Sequence, residues 1–74
     1  MSPAAIRSKA LAMGQRILYL QRAGKLSLEQ SARDRLEDFL QRHGVVPDCG
    51  PVLDACARLN ASSPAAIMNG LRVS

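Results

Sequence analysis

The side chains that could carry out chemistry in this chain are few. His43 is the only histidine, and Cys49 and Cys56 are the only cysteines. With Asp54 they make four nominal zinc ligands, but structural zinc sites use closely spaced ligand pairs such as C-x2-C, and no such pair is present. The two cysteines are about two helical turns apart, which exceeds the Cα separation of about 7 Å that a disulfide allows. We therefore expect two buried structural cysteines, no metal and no cofactor.

Acid–base and nucleophilic catalysis find no better support. His43 falls at the end of a predicted helix, where a cation or donor complements the helix dipole, and no nucleophile is spaced to pair with it. Asp34 and Asp38 could form half of a carboxylate pair, but arginines flank them, which is typical of a solvated charged face. There is no glycine-rich phosphate loop or nucleophile elbow, and a helical chain of 74 residues has little room for a deep pocket. We predict that the protein is not an enzyme.

Charge is distributed unevenly along the sequence. The formal net charge is +4 and the pI about 9.8. Residues 1–25 contain no acidic residue. They contain five basic residues: Arg7, Lys9, Arg16, Arg22 and Lys25. The rest of the chain holds five arginines and six acids. A basic segment of this kind is the electrostatic footprint of a nucleic-acid binder, and it would equally favour docking onto an acidic protein surface.

Helix start and stop signals define the first half of the chain. Ser2 is a good N-cap, Pro3 suits the first helical position and Gly24 is the expected stop, so a helix is predicted over residues 3–23. Ser27 and Gln30 fit a capping box, which predicts a second helix over residues 28–43, ended by Gly44. So short a connection predicts an antiparallel helical hairpin.

The second half of the chain predicts two shorter helices, over residues 51–60 and 64–71. Asp48 or Gly50 is expected to cap the first of these, and Pro64 to begin the second. No strand-like alternation interrupts the pattern. The predicted fold is therefore all-α: one domain over residues 1–74, in which a long antiparallel hairpin and two short helices form a small bundle. Because no apolar run approaches the roughly 18 residues of a membrane span and no secretory signal core is present, we expect a cytoplasmic protein.

The first helix has a wider apolar surface than one neighbouring helix would cover. Leu11 and Leu18 lie beside its main apolar stripe, with Gly14 between the two rows. A glycine costs about 1 kcal/mol in a helix interior, so Gly14 indicates that another backbone comes close there. The core is also poor in aromatic side chains, which favours association. We predict a small regulator or adaptor that binds a larger protein, a second copy as a homodimer, or both, through Arg7, Leu11, Gly14, Leu18 and Arg22.

The alternative prediction is a nucleic-acid-binding regulator that uses the same helix. Its contacts would be Arg7, Lys9, Arg16, Arg22 and Lys25. On a helical wheel Lys9 and Arg16 share one side, whereas Arg7 and Arg22 lie on the other, which also fits a solvated basic face or a basic rim around a packed one. Tyr19 is alone as a platform for stacking bases. Membrane binding and a small-molecule substrate are not expected. Abundant alanine and an excess of arginine over lysine suggest a bacterial or phage origin.

Overall fold

The computed structural model describes residues 1–62 of the chain. Within that range it contains three α-helices and no strand: α1 (Pro3–Arg22), α2 (Leu26–Arg42) and α3 (Cys49–Ser62). The all-α prediction is therefore confirmed for this part of the chain. The helix predicted over residues 64–71 lies outside the described residues.

α1 begins and ends where its sequence signals place it. The Ser2 hydroxyl accepts a hydrogen bond from the Ala5 N–H at 3.2 Å, which satisfies one of the free donors of the first turn. At the other end Gly24 has a φ of 70°, a conformation that side chains with a Cβ disfavour. The Lys25 N–H then donates to the Leu20 carbonyl at 3.0 Å, as in a Schellman cap.

α2 begins earlier than predicted, and the expected capping box at Ser27 is wrong. The N-cap residue is Lys25, which makes no side-chain capping hydrogen bond, although its carbonyl accepts from the Glu29 N–H at 2.9 Å. The physical reason is the glycine cap of α1, which reverses the chain so tightly that the second helix starts at Leu26. Ser27 therefore lies inside the first turn. Gly44, with a φ of 73°, ends the helix as predicted.

α3 begins at Cys49, two residues before its predicted start, and continues to Ser62. The side chain of Asp48 supplies its cap, because the Asp48 Oδ1 accepts a hydrogen bond from the Gly50 N–H at 3.0 Å. Of the two caps considered from sequence, Asp48 is thus the one that is used.

α1 lies between the other two helices. The Lys9 Nζ atom, near the start of α1, lies 5.3 Å from the ring centroid of Phe39, near the end of α2, so these two helices run antiparallel. α3 packs on the other side of α1, where it makes far fewer contacts with α2 than with α1. Ile17, Leu36 and Cys56 are the largest fully buried side chains of the described residues, one from each helix.

Candidate partner-binding surfaces

An apolar groove lies where α1 begins, α2 ends and α3 begins. Its volume is about 480 Å³, and we call it the end groove. Among residues 1–62 two alanines, Ala10 and Ala55, contribute to its lining. Most of its lining is apolar: Ile6, Ala10, Leu11, Leu40, Val52 and Ala55.

Two polar side chains border the end groove. Arg7 is exposed and lies on the α1 side. His43, half-buried at the C-cap of α2, packs on Phe39 with 4.6 Å between ring centroids. His43 therefore packs against an aromatic ring of its own helix. The groove therefore has an apolar lining and, at its border, the permanent positive charge of Arg7.

The two cysteines are buried and unbridged, as predicted. The Cys56 Sγ donates to the Leu11 carbonyl at 3.3 Å and the Cys49 Sγ to the Arg33 carbonyl at 3.5 Å. Burial raises the pKa of both thiols, and the nearby Glu37 carboxylate raises the pKa of Cys49 further. Both thiols are therefore protonated donors that tie helices together. Among residues 1–62 no group of three or more histidine, cysteine or acidic side chains is placed to hold a metal ion.

Gly14 makes its close contact within the chain. A Cβ added to Gly14 would lie 2.7 Å from the Cys56 Sγ and 3.0 Å from the Val52 Cγ1. The nearest neighbours are thus side chains of α3, which bury Gly14, and not the backbone that this glycine was expected to indicate. This corrects the expectation that Gly14 lies on a surface open to a partner.

The structure separates the other residues that the sequence singled out for partner binding. Leu11 is half-buried and lines the end groove with Arg7. Leu18 is half-buried two turns further along α1. Arg22 is exposed in the last turn of that helix, at the opposite end from the groove.

The basic residues predicted for nucleic-acid binding are likewise spread over different parts of the surface. Arg7 borders the end groove, and Lys9 lies over the Phe39 ring. Arg22 and Lys25 flank the turn between α1 and α2. Arg16 lines a second cavity, described next.

This second cavity, of about 230 Å³, lies on the seam between α1 and α2, and we call it the seam cavity. Residues of these two helices alone line it: Met13, Arg16, Leu28, Ser31, Ala32 and Arg35. Sequence reasoning did not single out Arg35, because α2 carries four acids against three arginines and so is not basic overall. The signal that could have identified Arg35 is that it follows Leu28 by seven residues, about two helical turns, so that the two side chains lie on the same side of α2.

Comparison with known proteins gives no match: no family model, curated protein or solved structure is similar enough to this chain to indicate a relative. Within residues 1–62, none of the three helices combines the length and the hydropathy needed to cross a membrane.

Proposed function

We propose that this protein is a small non-enzymatic regulator or adaptor that binds a protein partner through α1, and that the end groove receives an apolar segment of the partner. The observation that carries the proposal is the groove itself, about 480 Å³ in volume and lined mainly by apolar side chains. Pockets that hold ligands commonly fall in this range of size and polarity. Arg7 and Leu11, both predicted from sequence as partner contacts, line it.

The chemistry of the groove specifies the kind of segment it would receive. Large apolar side chains would fill the space above Ala10 and Ala55, and a carboxylate beside them would pair with Arg7. Val45, which also lines the groove, is 43% exposed, and Val46, the next residue in the chain, is 75% exposed. An apolar centre with a charged rim, including arginine, is typical of protein interfaces.

Selection of peptides from a displayed library of random sequences tests this proposal. We expect enriched peptides to combine large apolar residues with an acidic residue. Their binding should be lost in Ala55→Arg, whose side chain fills the groove, and weakened in Arg7→Glu. Arg58→Glu is the matched control, because Arg58 is exposed on α3, lines neither cavity and gives the same change of charge.

Circular dichroism of each variant separates loss of binding from loss of folding. Arg7 is exposed, so Arg7→Glu provides an answer even if Ala55→Arg fails to fold. Peptides that bind wild type and a folded Ala55→Arg equally, or a library that yields no binder, would contradict the proposal.

A second copy of the chain is one partner that the proposal includes. The homodimer predicted from the small core stays a prediction. Sedimentation equilibrium over a wide range of concentration decides it. A dimer that dissociates in Ala55→Arg but not in Arg58→Glu would identify the end groove as the dimer interface.

Nucleic-acid binding stays the alternative proposal, supported by the net charge of +4 and the basic first 25 residues. It requires affinity for duplex DNA that falls steeply with salt, by about 0.9 logarithmic units per phosphate contact for each logarithmic unit of salt. Anisotropy of a labelled mixed-sequence duplex at low and physiological salt tests this. A salt-insensitive affinity, or none, would exclude it.

A further inference from the structure

Three cations follow the seam between α1 and α2. Lys9 lies over the ring of Phe39, and Arg35 is one turn before Phe39 on α2. The two helices are antiparallel, so residues before Phe39 on α2 lie beside residues after Lys9 on α1. Arg35 therefore lies beside the part of α1 between Lys9 and Arg16. Arg16 shares the seam cavity with Arg35. Lys9, Arg35 and Arg16, which we call the seam cations, therefore alternate between the helices over about 10 Å, at 1.5 Å of rise per residue.

The acids of α2 leave the seam cations without carboxylate partners. Glu29 pairs with Arg33 at 3.0 Å, and Asp38 pairs with Arg42 at 3.0 Å. Asp34 accepts a hydrogen bond from the Gln30 side chain at 3.1 Å. Among residues 1–62, which include every acidic side chain of the sequence, no carboxylate lies within 4.0 Å of a seam cation. The seam cations therefore make no ion pair with the acidic side chains of the described residues.

The seam also has an apolar floor. Met13 and Ala32 are half-buried at the base of the seam cavity, and Leu28 is 50% exposed at its edge. This floor lies between the two helices, where a third helix can pack into the groove that their side chains form. A ligand that used the seam fully would present both negative charge and an apolar side chain.

We propose that the seam binds an acidic amphipathic helix of a partner protein. Carboxylates about one turn apart on that helix pair with the seam cations, and an apolar side chain between them enters the seam cavity. Recognition of an amphipathic helix by a groove between helices is a recurring mode of peptide binding. The seam cavity and the end groove share no lining residue, so this surface stands independently of the function proposed for the groove.

The charge around the seam favours a peptide helix over a nucleic-acid duplex. Asp34 and Asp38 are exposed on α2, one residue before and three residues after Arg35. A peptide helix about 10 Å across covers less of the surface beside the seam than a wider duplex does. The phosphates of a wider duplex would come close to both carboxylates, and like charges repel.

The test uses fluorescein-labelled helical peptides in an alanine–glutamine host. One peptide carries three glutamates a turn apart and a leucine on the same face, and its matched partner has glutamine for each glutamate. We expect the glutamate peptide to bind wild type at least about tenfold more tightly than the glutamine peptide. Arg16→Glu and Arg35→Glu should each weaken it by a similar factor. Arg35→Glu should instead regain part of the lost affinity with a peptide that has lysine for the middle glutamate alone, since Lys9 and Arg16 still pair with the outer two.

Arg58→Glu is again the matched control, since it removes the same charge from α3, which does not line the seam cavity. We expect it to keep wild-type affinity for the glutamate peptide. Equal weakening in Arg58→Glu would show general charge attraction and overturn the proposal. No preference for glutamate over glutamine, or displacement of the peptide by duplex DNA at equal concentration, would overturn it too. These outcomes do not depend on whether library peptides bind the end groove.

Discussion

The contact between Gly14 and Cys56 sets how closely α1 and α3 approach. The Cys56 thiol is fully buried, donates to the Leu11 carbonyl and occupies the space beside Gly14. The missing side chain of Gly14 in α1 thus leaves the space that the Cys56 thiol of α3 occupies. From sequence Gly14 indicated a close neighbour, but not that the neighbour is in the same chain.

Gly14→Ala should destabilise the protein, although alanine is the better helix former. Alanine gains about 1 kcal/mol in helix propensity, whereas overpacking a core costs about 1–3 kcal/mol. Its Cβ would lie 2.7 Å from the Cys56 Sγ, so we expect a net loss of about 1 kcal/mol. Urea unfolding followed by circular dichroism measures it.

Cys56→Ala provides the control for that measurement. It removes the sulfur that the new methyl group would meet, so Gly14→Ala should cost less in this background than in wild type. Interaction energies between contacting residues commonly reach 0.5–3 kcal/mol in such cycles. Strictly additive costs would show that the two residues do not constrain each other.

The buried thiols also predict how stability changes at alkaline pH. Burial raises the pKa of Cys49 and Cys56 above the ordinary value of 9.0, and the unfolded chain releases these protons first. The stability they contribute is full below pH 9.0 and is lost as the pH rises through the folded-state pKa. We expect a steeper loss of stability above pH 9 in wild type than in Cys49→Ala/Cys56→Ala. Parallel pH profiles of the urea midpoint would contradict this.

At the scale of helices, the ends that are set by local chemistry could be predicted from sequence. Ser2, Gly24 and Gly44 act within a few residues of themselves, and each ends or begins a helix where expected. The start of α2 could not be predicted in this way, because the glycine cap of α1 decides it. The end groove and the seam cavity could not be predicted from sequence, since their residues come from separate helices and no local signal encodes how those helices pack.

Asp48 is the cap whose removal should matter most to the end groove. Asp48→Ala leaves the Gly50 N–H without its acceptor, at a cost of about 1 kcal/mol, and should fray the turn that carries Pro51 and Val52. Asp48→Asn keeps an acceptor oxygen and should stay near wild type. Urea midpoints of the two variants check the cost, and an equal loss in both would mean that charge, not capping, is what Asp48 supplies.

At the scale of the whole molecule, α1 belongs to both surfaces. It gives Arg7 and Leu11 to the end groove, and Met13 and Arg16 to the seam cavity. In the folded chain, Arg7 and Arg16 of the basic first segment thus lie on two different surfaces. Taken together, the two binding proposals describe an adaptor that joins two partners through surfaces of different chemistry.

We propose above all that the end groove binds a partner segment. The most direct test is a nitrogen–proton NMR titration of the isotope-labelled protein with a peptide selected from the displayed library. We predict that the largest chemical-shift changes fall on Ile6, Ala10, Val52 and Ala55, with little change at the turn between α1 and α2. Changes that are largest at that turn, or spread evenly over all three helices, would contradict the claim.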